Sequence, residues 1–178
     1  GVMNDMNGEP LKKHIIDTVK EWQMKIGYRP ESMKLYYPAV SLAELLDLPE
    51  DAGKEQLQRA LLGFAEKEEA FLGKLSFAER EDRWELTVPP EGCTWIHENV
   101  PDSPLLTDFI RTITTPGKTL EDVRACFAHY ALPGHPLQEA DHVHDGMGRV
   151  FFYEGGQPDE YVYCVEADDF GLTYHRFT

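Results

Sequence analysis

The sequence predicts an α+β fold, with helices and antiparallel strands gathered in separate stretches of the chain. Three observations carry this. Apolar residues recur at helical spacing over several long segments. Trp84, Leu86 and Val88 alternate, as a half-buried strand requires. The last thirty or so residues read as three aromatic-rich strands parted by turns of about five residues, which suits an antiparallel meander.

The first helix is expected from about Leu11 to Ile26, where Leu11, Ile15, Val19, Trp22 and Ile26 form one stripe. Pro10 suits its first position and Gly27 its C-cap. Met33 to Tyr37 reads as a short strand. Ser41 to Glu44 has the form of a capping box and opens a short helix holding Leu42, Leu45 and Leu46. After a break at 48–53, a longer helix is expected from Lys54 to Leu72, with Leu57, Leu61, Phe64, Glu68 and Phe71 along one side. Two strands follow, at 73–77 and 83–88, joined by the charged tip 78–82.

This order of helix, strand, short helix, longer helix and hairpin is that of a winged helix, so residues 9–92 are expected to form a winged-helix-like unit. Residues 93–178 are expected to supply a helical pair and a three-stranded antiparallel sheet. Cys93 to Asp102 is an apolar connector. Ser103 and Pro104 begin a helix with Leu105, Leu106, Phe109, Ile110 and Ile113, and Thr119 to Asp122 begins a second with Leu120, Val123, Phe127 and Tyr130. Residues 133–148 read as loop. The strands are placed at 149–154, 161–166 and 172–177. No Gly/Ser linker separates the halves, so they are expected to pack as one compact domain.

The charge excludes some functions. Across 178 residues, 17 Lys and Arg face 32 Asp and Glu, a net charge of −15. The excess is even: −7 over residues 1–100 and −8 over the rest. Phosphate neutralisation needs a basic surface, so the balance argues against nucleic acid. The helix 54–72 is itself acidic, since Lys54, Arg59 and Lys67 face Glu55, Glu66, Glu68 and Glu69. A winged-helix DNA regulator, with Gln56, Gln58 and Arg59 reading base edges, is therefore the weakest of the readings. No apolar run approaches the ~20 residues of a membrane span, and no hydrophobic signal core stands near the N-terminus, so a cytoplasmic protein is expected. Cys93, Cys126 and Cys164 make an odd count with no Cys-x-x-Cys pair, which suits a reducing compartment.

Two candidate chemistries remain. His129, His135, His142 and His144 crowd one segment beside Asp141 and Asp145. In extended chain His142 and His144 share a side. With Asp145, and with His175 from the last strand, they form a candidate zinc or iron site, which would make the protein a metal-binding protein or a metal-dependent hydrolase. The spacing meets neither the cupin nor the metallo-β-lactamase pattern, and the plainer reading is a set of loop histidines. The chain also lacks a Gly-x-Ser-x-Gly elbow, a dinucleotide fingerprint, a P-loop and a His-Glu-x-x-His pair. The leading expectation is therefore a non-catalytic protein-interaction or regulatory module with a protein partner, rather than an enzyme.

The runs Asp145-Gly-Met-Gly-Arg-Val-Phe-Phe-Tyr-Glu, Asp159-Glu-Tyr-Val-Tyr-Cys164 and Tyr174-His-Arg-Phe177 resemble a bacterial family of unknown function, found mainly in anaerobic clostridial-type bacteria. The resemblance covers most of the chain. It implies bacterial origin and a cytoplasmic location, and it carries no activity to any residue.

Overall fold

A computed structural model describes residues 8–131, 139–141, 149–153 and 161–177. It contains both helix and antiparallel sheet, and it divides between Pro101 and Asp102 into two compact units.

The first unit runs α1 (Glu9–Ile26), β1 (Met33–Tyr37), α2 (Ala39–Leu45), α3 (Lys54–Leu72), β2 (Ser76–Glu79), β3 (Trp84–Val88) and α4 (Pro90–Asn99). Its sheet has the order β1-β3-β2, antiparallel throughout, so β3 is central and β2 an edge. The expected helical stripes make its core, with a shift at each end. Leu11, Ile15 and Val19 of α1 are buried, but Trp22 and Ile26 emerge at the C-terminal end. On α3 the buried line is Leu57, Leu61, Phe64, Glu68 and Leu72, and Phe71 lies off it. From the sheet come Leu35, Tyr37, Trp84, Leu86 and Val88.

Three local expectations shift. The short helix starts at Ala39, not Ser41, with Pro38 as its N-cap. Proline presets the entry angle, and its carbonyl accepts the first helical N–H, from Leu42 at 3.1 Å. The first hairpin strand starts at Ser76 rather than Gly73, because Gly73 is spent on the α3 C-cap at φ 71°. The apolar connector is in part a helix, α4, with Pro90 in its first turn and Cys93 and Ile96 turned into the core. It packs closely on α3: a Cβ on Gly92 would stand 2.1 Å from the Leu72 carbonyl oxygen.

The second unit holds α5 (Pro104–Thr114), α6 (Leu120–His129) and strands β4 (Glu139–Asp141), β5 (Arg149–Tyr153), β6 (Val162–Asp168) and β7 (Gly171–Phe177). Ser103 caps α5 by accepting the Leu106 N–H, and the Asp122 carboxylate accepts the Thr119 N–H at the start of α6 at 2.8 Å. The three expected strands pair antiparallel as β5-β6-β7. The short β4, within the segment read as loop, adds to the outer side of β5. The last turn is shorter than expected, since β6 runs on to Asp168 and only Asp169 and Phe170 separate it from β7. Leu105, Leu106, Phe109, Val123, Phe127, Val150, Phe152, Tyr163 and Val165 are buried in this unit. On β5, Val150 and Phe152 are buried while Phe151 is half-buried, so one face is closed and the other partly open. Among the described residues no helix is long and apolar enough to cross a membrane.

Candidate interaction surface

The face formed by α3 and the β2–β3 hairpin gathers the features a binding site needs. A groove of about 440 Å³ runs between them, lined by Gln58, Leu61, Leu62, Leu75, Ser76, Phe77 and Trp84. Helical spacing explains the helix wall. Leu61 belongs to the buried stripe, whereas Leu62 is one step of about 100° round the helix and remains 67% exposed. Strand alternation explains the other wall. Phe77 lies across from Leu86, and Glu79 from Trp84, on the face turned to the helices. Gln58 and Ser76 are the polar members of the rim.

Several cations of this unit are held by its own carboxylates, whereas the exposed Arg59 on α3 and Lys74 before β2 meet none among the described residues. On the opposite face of the sheet Glu85, buried on β3, accepts from Lys34 Nζ at 2.9 Å and from Arg80 Nε at 2.7 Å. These two hydrogen bonds hold its carboxyl below the usual carboxylate range, Lys34 foremost, and the same bond raises Lys34. Lys54 Nζ lies 2.6 Å from Glu79, tying the start of α3 to the end of β2. Arg83 Nε lies 3.2 Å from Asp82, and Lys67 Nζ 3.9 Å from Glu9. Further back, buried Glu68 meets Lys12 at 3.1 Å.

The sequence singled out Glu68 as the polar member of a helix face, and that ion pair accounts for it. The groove itself was not singled out. Its signals, Leu62 one position off the stripe and Phe77 on an edge strand, depend on which elements neighbour them.

The residues of the candidate metal site fare unevenly. His142, His144 and Asp145 lie outside the described residues, as does His135. His175 is exposed on β7, its ring stacked on Phe177 at a centroid distance of 5.5 Å. It shares a register row with Cys164, Phe151 and Ala140, whereas Asp141 shares the next row with Val150, Val165 and Tyr174. β4 and β7 are opposite edges of the sheet, three strand spacings or about 14 Å apart. Among the described residues no three His, Cys, Asp or Glu side chains converge as metal ligands do.

A second cleft, between α5 and α6, is lined by Asp108, Arg111, Lys118, Asp122, Cys126, His129 and Tyr130 among others. The Tyr130 hydroxyl donates to Asp108, which raises the tyrosine. Burial, and then Asp108, push the Cys126 thiol up to about 11, and burial alone pushes up Cys93. These shifts are opposite to those that make a thiolate nucleophile at neutral pH.

No curated protein and no solved structure matches the chain. One family does, over residues 8–178: DUF3877, described as a domain of unknown function with an E. rectale gene description. Because the match takes in both units and nearly the whole chain, the protein belongs to this bacterial family of unknown function.

Proposed function

We propose that the protein is a non-catalytic interaction module whose first unit is a winged helix turned from DNA to protein recognition. The order α1–β1–α2–α3–β2–β3, with β1 paired to β3, supports the winged-helix reading. In such a unit α3 would be the recognition helix and β2–β3 the wing. The observation that carries the proposal is the apolar groove between them, flanked by Leu62 at 67% exposure. A reader of duplex DNA places free Lys and Arg there. Here Lys54 and Arg83 each lie against a carboxylate, and the two cations unpaired among the described residues there, Arg59 and Lys74, are outnumbered by Glu55, Glu66, Glu69 and Glu81 on the same elements. Apolar lining with a polar rim is the anatomy of a protein interface.

The test is a photoreactive amino acid in place of Leu62 in bacterial cells. A discrete protein adduct is expected at position 62 and not at position 170, where Phe170 is 99% exposed but lies on a hairpin tip of the second unit. Equal labelling at both positions, or none at 62, overturns the reading. So does salt-sensitive binding of a short DNA duplex at low ionic strength.

A further inference from the structure

We infer that the groove receives an extended peptide segment of the partner, which adds as a strand to the open edge of β2. The inference rests on the interaction reading above and names the mode and the chemistry of the partner.

The backbone carries the argument. The Arg80 N–H donates to the Arg83 carbonyl at 2.8 Å, which makes Arg80 and Arg83 a hydrogen-bonded pair of the antiparallel hairpin. The register continues unbroken through Glu79↔Trp84, Ala78↔Glu85, Phe77↔Leu86 and Ser76↔Thr87. Hydrogen-bonded and non-hydrogen-bonded pairs alternate along such a ladder. Ala78 and Ser76 therefore direct their N–H and C=O groups at β3, while Phe77 and Glu79 direct theirs away from it. β2 is an edge strand, so these groups face the side of the sheet where no strand lies among the described residues. An edge of this kind is a template for strand addition.

The side chains agree with the backbone. A strand laid beside β2 would point alternate residues to the face that carries Phe77, and on that side the groove is walled by Leu61, Leu62 and Trp84. An extended segment with apolar residues at every second position fits this arrangement; a helix, with its period of 3.6, does not offer its backbone to an edge. Charge sets the flanks. Glu55, Glu66 and Glu69 on α3 and Glu81 at the hairpin tip, in no ion pair among the described residues, outnumber the likewise unpaired Arg59 and Lys74 of the same elements. The complementary segment carries Lys or Arg on either side of its apolar core.

A library of random twelve-residue peptides displayed on phage and selected on the full chain tests this. Selected peptides are expected to share apolar residues at i and i+2 with basic flanks. Leu62→Glu should weaken the best of them by about tenfold or more, with the far-UV spectrum unchanged. The decisive step is N-methylation of that peptide at alternate positions. Blocking the N–H groups of one parity should cost about tenfold in affinity, and blocking the other parity little, because only one set can reach Phe77 and Glu79. Apolar residues at i, i+3 and i+4, equal loss for both parities, or no selected peptide at all overturns strand addition. If the adduct at position 62 persists in any of those cases, the interaction reading stands and only the mode falls; if the adduct is absent too, both fall.

Discussion

The two units close their cores with different chemistry. In the first, aliphatic residues of the sheet and helices dominate, and charge is drawn in beside them. All three charged residues that are buried among those described, Lys20, Glu68 and Glu85, belong to this unit. In the second, aromatic rings do the work. Phe109 meets Phe127, Tyr163 and Tyr174 with centroids 4.8–5.5 Å apart, and Phe127 stacks on Phe152 at 4.8 Å. Edge-to-face and stacked rings add roughly 0.5–1.5 kcal/mol per pair beyond the area they bury. Phenylalanine rings do not titrate and tyrosine hydroxyls stay neutral from neutral pH downward, so the stability that the ring cluster supplies should be indifferent to mild acid. A sheet whose face is pinned by a carboxylate between two cations should not be.

This difference can be measured, because all three tryptophans, Trp22, Trp84 and Trp95, lie in the first unit. Tryptophan fluorescence follows that unit, while tyrosine and far-UV signals include the second. The largest effect is expected from Phe109→Ala, which empties the centre of the ring cluster. It should cost about 3–5 kcal/mol, read as loss of the second unit's signal at lower denaturant concentration. A tryptophan transition that moved by the same amount would show that the units unfold as one.

Gly92→Ala should strike the first unit instead. The new methyl group would sit 2.1 Å from the Leu72 carbonyl oxygen, 2.8 Å from its carbon and 2.8 Å from Val88 Cγ1, so the helix backbone itself would have to shift. About 1–3 kcal/mol is expected from overpacking, in the tryptophan transition first. Stability equal to wild type would mean that α4 slides freely on α3.

The smallest effect is acid sensitivity. The hydrogen bonds from Lys34 and Arg80 hold Glu85 below the usual carboxylate range. A group lowered in the folded state contributes its stability in full above its ordinary value of about 4.5 and loses it as pH falls through the folded value. The tryptophan midpoint in urea should therefore fall as pH is lowered below about 4.5, and Glu85→Gln should flatten that fall. A wild-type midpoint that does not move between neutral and about pH 3.5 would remove Glu85 as a stabilising group.

Much of the fold was legible in the chain. β1, α3 and the start of α5 follow directly from periodicity, capping and proline placement, because these signals act between residues a few positions apart. The departures share a cause in tertiary context. Trp22, Ile26 and Phe71 are apolar at helical spacing yet 42–59% exposed, since the described residues cover them only in part, Phe71 by Trp95 and Lys12 and Trp22 by Lys25. Cys93 to Asp102 reads as an apolar connector, yet against α3 Pro90 starts a helix and Gly92 permits its close approach. The candidate site was the least legible part. Histidine density is the strongest local signal, at residues 129–145, whereas the groove depends on Leu62, Phe77 and Trp84, which no motif links.

By itself the sequence determined the α+β class, the order of its helices other than α4 and of its first hairpin, the acidic balance and the family to which the chain belongs. Those properties are sums over composition or patterns of short range. Only the tertiary structure decided that β2 is an edge, that Lys34 and Arg80 converge on Glu85, and that Leu62 overlooks a groove rather than bare solvent. Each of these joins residues tens of positions apart. Strand order and packing create such neighbours, and no local spacing encodes them.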